Sequence, residues 1–127
     1  MKRGVDFDGT LAVYDGWKGP DVLGTPIPLM VSRVKAWLAR GDETVILTAR
    51  ANPASGEEAE ISIAAIKEWC MNVFGQELEV TCQKDQKMEE IFDDRAISVE
   101  NNTGCILTKG YVEDMVEEVD GIGAFLK

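Results

Sequence analysis

A mostly parallel α/β sheet is the architecture to which this 127-residue chain points. Three features carry that reading. Short apolar runs alternate with stretches of helical period. The clearest run, Thr44 through Leu47, is β-branched and almost continuously apolar, as a strand covered on both faces is. Glycines stand where the helical stretches stop, at Gly41, Gly75 and Gly121. Alternation of this kind builds parallel sheets through crossover helices.

In order, residues 4–8 form a short segment that runs into Asp8-Gly9-Thr10, a strand followed by a turn. Residues 11–28 are rich in glycine and proline and read as an irregular loop or small hairpin. Met30, Val34, Trp37 and Leu38 follow helical spacing, which predicts a helix from about Pro28 to Arg40. The Thr44 run is the second strand. Ser55-Gly56-Glu57-Glu58 fits a capping box and opens a second helix with the stripe Ile66, Trp69, Cys70, Val73 and Phe74. Residues 78–82 and the segment holding Ile91 and Phe92 are further strands, and residues 96–99 suggest another. Val112, Met115, Val116 and Val119 mark a last helix. About six residues separate Cys82 from Glu89, whereas a parallel crossover takes roughly a dozen. Either one helical turn bridges that gap or the strand bounds shift by a few residues.

Composition excludes several chemistries. Thirteen basic and 23 acidic residues give a net charge of −10, which disfavours duplex nucleic acid gripped by a basic face. The chain has no histidine, so zinc sites built on histidine, Ser-His-Asp triads and Cys-His pairs are out. Cys70, Cys82 and Cys105 are odd in number and widely spaced, as reduced cysteines of a cytoplasmic protein are. No signal peptide and no apolar run of membrane-spanning length is present, so no membrane partner is expected. The length suits one domain over residues 1–127.

The acidic residues fall where a parallel sheet gathers ligands. Asp6 and Asp8 close the first strand, Thr48 the second, Lys84 follows the third, and Asp93 and Asp94 follow Ile91-Phe92. Sites in open α/β sheets lie beyond the carboxyl ends of the strands. Several carboxylates at one spot stay ionised together only with a cation among them. Oxygen ligands without histidine or cysteine select Mg2+ over zinc. Magnesium beside a carboxylate nucleophile points to phosphoryl transfer, with a lysine and a threonine serving the transferring oxygens.

Val5-Asp6-Phe7-Asp8-Gly9-Thr10-Leu11 resembles the first motif of the haloacid dehalogenase (HAD) superfamily. Val45 through Arg50 resembles the second motif, Lys84 the third, and Ile91-Phe92-Asp93-Asp94-Arg95 the fourth, all in order. Thr25-Pro26-Ile27-Pro28 adds a likeness to small capless phosphatase-like members of phages and bacteria. The resemblance implies a Rossmann-like three-layer α/β/α sandwich without a large cap, with a flap over about residues 11–27. It implies Asp6 as nucleophile and Asp8 as acid and base. Thr48 would bind the phosphoryl group and Lys84 would neutralise charge. Asp6, Asp93 and the Asp8 carbonyl would hold Mg2+, with Asp94 a ligand or bridged through water. Gly9, Thr10, Ala49 and Arg50 would line the substrate. Lys87 competes with Lys84 for the third motif. A capless site admits a bulky substrate or takes a partner subunit as lid, which leaves room for a homo-oligomer.

Plainer readings stand beside these. Asp-Gly-Thr after a strand is often a turn, Thr48 a helix cap, and Asp93-Asp94-Arg95 a solvated turn with a local ion pair. Arg50 either reaches the substrate or pairs with Glu57 or Glu58. Trp17 stacks on a nucleobase or packs its loop down, while Trp37 and Trp69 belong to the core. Lys84, Lys87, Arg50 and Arg95 would form a local basic patch if they cluster. The expected activity is a magnesium-dependent phosphatase acting on a small phosphorylated metabolite or nucleotide. The alternatives are a phosphatase of polynucleotide ends and a module that binds phosphate and magnesium without turnover.

Overall fold

β1 (Lys2–Val5) lies inside a sheet whose order is β3-β2-β1-β4, with β2 at Glu43–Leu47, β3 at Glu79–Thr81 and β4 at Met88–Phe92. Every pairing is parallel. The computed structural model describes residues 1–107, and the chain divides into two compact units, Met1–Asp94 and Arg95–Lys127. All the candidate site residues fall in the first. This is an α/β, Rossmann-like fold. Among the described residues no large cap interrupts it: only residues 6–27 join β1 to the first helix, and only 48–56 join β2 to the second.

Helix α1 (Pro28–Ala39) starts on a proline, whose missing N–H costs nothing in the first turn. It buries Met30, Val31, Val34 and Trp37, so the expected stripe holds with Val31 added and Leu38 only partly covered. Helix α2 (Glu57–Phe74) buries Ala59, Ser62, Ile66 and Cys70. Val5 and Ile46, register partners on β1 and β2, share one apolar cluster with residues of both helices. Both helices therefore cover the same sheet face, and hydrophobic burial of that face is the main stabilising contribution. Arg3 is buried beside them with its guanidinium 4.4 Å over the Trp37 ring. It bonds Asp42 at 2.8 Å and Glu90 at 2.7 Å, which satisfies a charge that would otherwise be costly there.

Several expectations need correction. The capping box at Ser55 does not form. Ser55 lies in a short 3-10 turn, and α2 starts after Gly56 with no side-chain cap. Glu57, Glu58 and Glu60 in its first turn face the helix dipole instead. The awkward link from the third to the fourth strand dissolves because β3 and β4 are not neighbours. They occupy opposite edges, and residues 82–87 run back across the sheet with no crossover helix. That link is pinned where Lys2 Nζ meets Asp85 Oδ2 at 2.6 Å. Residues 96–99 form no strand. In the second unit, described by itself, Val99 makes a single antiparallel bridge to Ile106 around a turn held by the Glu100 amide on the Cys105 carbonyl at 2.7 Å. The last helix, at Val112 to Val119, lies outside the described residues. Among the described residues, no helix is long and apolar enough to cross a membrane.

Candidate functional site

The strand order creates a switch point. From β1 the chain moves to β2 on one side, while β4 joins β1 on the other. Beyond the carboxyl ends of such a pair a crevice opens where ligands bind. The Asp6 amide donates to the Phe92 carbonyl at 2.8 Å, which carries the ladder one residue past β1 and sets Asp6 abreast of the end of β4. Asp6, Asp93 and Asp94 each bring one carboxylate oxygen to this point, all within 4.8 Å of one another.

The turn after β1 is built to deliver them. The Phe7 side chain is fully buried and meets the Trp69 ring edge-on at 4.9 Å. Its carbonyl accepts the amides of Thr10, Leu11 and Ala12 at 3.3, 2.9 and 2.9 Å. Gly9 has φ +82°, and a Cβ there would lie 2.7 Å from Asp94 Oδ2. A side chain is thus excluded by both backbone and neighbour. The Thr10 hydroxyl bonds Asp94 and so ties this turn to the loop after β4. Sequence reading placed Gly9 and Thr10 on the substrate, whereas here both shape the carboxylate cluster.

Half-burial pushes the Asp6 carboxyl up to about 7, reinforced by its hydrogen bond with Asp94 and the charge of Asp93, against the Phe7 amide that favours ionisation. Crowded acids with no nitrogen or sulfur donor suit a hard divalent cation.

The Asp8 carboxylate is not among those three. Arg50 holds it from Nε at 2.7 Å and from Nη2 at 3.0 Å. Arg50 is buried and stacks 4.7 Å from the Trp17 ring. Its pairing with Glu57 or Glu58 is therefore not what forms, and its donors are committed away from a substrate. Trp17 takes the loop-packing role through Arg50, although one side of it stays exposed. Thr48 is buried at the end of β2 and its oxygen accepts the Arg50 amide at 3.2 Å, a cap for the turn Ala49–Ala51. Ala49 is exposed on that turn.

Lys84 lies three residues past β3, in the link that returns to β4, next to Asp85, which bonds Lys2 at the start of β1. It is exposed and forms no ion pair among the described residues. Lys87 immediately precedes Met88, whose register partner is Lys2, so it sits at the amino end of the sheet. The five steps from there to Phe92 span roughly 16 Å, beyond the reach of a lysine side chain. Lys87 thus stands away from the acids. Arg50 is inside and Lys87 at the amino end, so two of the four residues expected in a basic patch are not available to it.

The Arg50–Asp8 pair is what sequence reading missed. The signal was available, because both residues directly follow neighbouring parallel strands. Trp69, read as core, also bonds the flap, its Nε1 donating to the Gly24 carbonyl at 3.0 Å.

No family model matches the chain, and no curated protein matches it. Among solved structures it is similar to a conserved protein coded by a locus from Bacteroides thetaiotaomicron. The TM-score is 0.50 at 24% identity, covering 94% of this chain and 91% of that one. That likeness speaks for the fold alone.

Proposed function

We propose that the chain is a magnesium-dependent phosphohydrolase of phosphomonoesters that works through an aspartyl phosphate on Asp6. One observation carries the reading: Asp6, Asp93 and Asp94 converge at the β1/β4 switch point. The resemblance of residues 5–11, 45–50 and 91–95 to HAD motifs supports it. Asp6 Oδ attacks phosphorus, and the bond to the leaving oxygen breaks as that oxygen takes a proton from Asp8. Water then attacks the acyl phosphate at phosphorus, the bond to Asp6 breaks, and Asp8 recovers its proton from the water. Thr48 donates to the phosphoryl oxygens, and Lys84 is the lysine this reading assigns to neutralise charge. Magnesium held by Asp6, Asp93 and Asp94, with the Asp8 carbonyl, would neutralise charge on the phosphoryl group.

The substrate is a small phosphorylated metabolite or nucleotide. A charge of −10 disfavours long nucleic acid. The test is phosphate release from p-nitrophenyl phosphate with and without Mg2+, in wild type and in Asp6→Asn. Activity that needs magnesium and is lost with Asp6→Asn supports the reading. Activity retained by Asp6→Asn removes the nucleophile.

A specific observation favours a second reading, a binding module without turnover. Both Asp8 oxygens are engaged by Arg50. A magnesium-dependent rise in Tm with no phosphate release across a broad panel would select it.

A further inference from the structure

The Arg50 guanidinium has five N–H groups and five acceptors. Nε and Nη2 take the two Asp8 oxygens at 2.7 and 3.0 Å. Nη1 takes the Gly19 and Pro20 carbonyls at 3.2 and 3.1 Å, and Nη2 also takes the Val22 carbonyl at 3.2 Å. The side chain is 5% exposed, so loss of any partner leaves a buried polar group unpaired, which costs more than the bond itself is worth. At its other end, Arg50 is fixed through its amide to Thr48 Oγ1.

The acceptors span two bodies. Asp8 belongs to the turn after β1. Residues 19–22 belong to the flap, whose base is a short antiparallel pairing. Val13 donates to Thr25 and Ile27 to Leu11, both at 2.8 Å. Beyond that base, Ser62 Oγ donates to the Pro20 carbonyl at 2.8 Å and Trp69 Nε1 to the Gly24 carbonyl, which hydrogen-bonds the flap to α2. Residues 13–18 between them are exposed. One buried cation therefore joins the loop after β2, the turn after β1 and the returning limb of the flap.

We propose that Arg50 is a positioning residue that locks Asp8 and the flap into one body, so that the orientation of the Asp8 carboxylate depends on the flap being closed. The catalytic half of this inference rests on the phosphohydrolase reading, and the mechanical half does not. Lysine cannot replace the contact. Its ammonium has three donors and no planar fork, so it cannot form the parallel bonds to Asp8, reach three carbonyls and stack on Trp17 at once.

The test separates the two halves. Lys18 is exposed in the flap and pairs with nearby Asp15 at 3.0 Å, so the Lys18–Gly19 bond is a trypsin site that reports flap opening. Wild type, Arg50→Lys and Arg50→Ala are digested briefly, and cleavage at that bond is followed by mass. Both variants should be cut at least about tenfold faster than wild type, with the far-ultraviolet circular dichroism unchanged. In the p-nitrophenyl phosphate assay kcat should fall at least about tenfold while KM moves less than about threefold. Millimolar guanidinium ion should restore part of kcat in Arg50→Ala and not in Arg50→Lys, where the cavity is filled. A merely structural role would give no such selective rescue. Should neither Arg50 variant fold, Asp8→Asn, which keeps shape and removes the charge, should open the same bond to trypsin. Unchanged cleavage in every folded variant, or full kcat in Arg50→Ala, overturns the proposal. A wild-type chain without phosphatase activity removes the proposed function, and the trypsin result still decides whether Arg50 holds the flap.

Discussion

The Thr10 hydroxyl stands 3.1 Å from Asp94 Oδ1 and accepts from the Asp94 amide at 3.0 Å. Residues 84 positions apart in sequence are thereby held together at the centre of the carboxylate cluster. The same hydroxyl lies 3.5 Å from Asp6 Oδ2. A hydroxyl has one proton to give, so the nearer Asp94 takes it. Thr10 thus orients an acid that would ligate a cation, without being a ligand itself.

Replacing Thr10 by Val keeps the shape and deletes the bonds. Outer partners of metal ligands commonly carry 10- to 100-fold in affinity, so Mg2+ should bind about tenfold more weakly. Titration calorimetry with MgCl2 reads this directly. An unchanged affinity would mean that Asp94 is oriented by something other than Thr10.

Gly9 makes a sharper case. Its φ of +82° alone resists a side chain, and Asp94 Oδ2 adds a steric block 2.7 Å from the Cβ position. Gly41 has a similar φ of +85° but nothing within 4 Å. Gly41→Ala therefore measures the backbone penalty, about 1 kcal/mol. Gly9→Ala should cost about 1–2 kcal/mol more in denaturant unfolding and should also weaken Mg2+ binding. Equal losses at the two positions would show that Asp94 simply swings away.

Cys70 should be chemically silent. It is fully buried on α2, and burial pushes its thiol up to about 12 from an ordinary 9.0, with a hydrogen bond to the Leu78 backbone opposing. Thiolate, not thiol, reacts with disulfide reagents. At pH 8 in native buffer Cys105, which is exposed, should react first, and Cys70 only on unfolding. Rapid labelling of Cys70 in a peptide map of native protein would contradict its burial.

Much of this was legible in the sequence for physical reasons. Helical spacing exposed the buried faces of α1 and α2, because a helix core face repeats with the turn. The β-branched run at Thr44–Leu47 exposed β2. The acids at strand ends followed from where parallel sheets place their rims. The contacts across strands were not legible. Ser55 looked like a cap because it has the right chemistry three residues before a glutamate, yet a 3-10 turn at Pro53–Ser55 takes it up. Strand order was invisible to local pattern, so β3 and β4 looked adjacent and Lys87 stayed a competitor of Lys84. Arg50 offered two plausible acidic partners nearby in sequence, and the one it takes lies 42 positions away. Pairing at that range is decided by sheet order, which no short window contains.

The pH dependence of stability should change sign with pH. Asp6 is pushed up to about 7 from 3.8. Between about pH 4 and pH 7 the folded chain keeps this proton while the unfolded chain has released it. Stability from this group therefore falls as pH rises through that window and levels off above 7. Asp42, held down by Arg3, and Asp85, held down by Lys2, act in the opposite sense. Their stabilisation is present above their ordinary value of 3.8 and is lost only as pH falls below it. With a chelator present, Tm should then drop on the acid side below about pH 4 and decline again towards pH 7. Asp6→Asn should flatten the second decline and leave the first. A cation on the three carboxylates favours their ionised form, so added Mg2+ should raise Tm more at pH 8 than at pH 5. Differential scanning fluorimetry across pH, with EDTA or with MgCl2, reads both effects. An equal magnesium shift at the two pH values would show that the ion does not bind where Asp6 titrates.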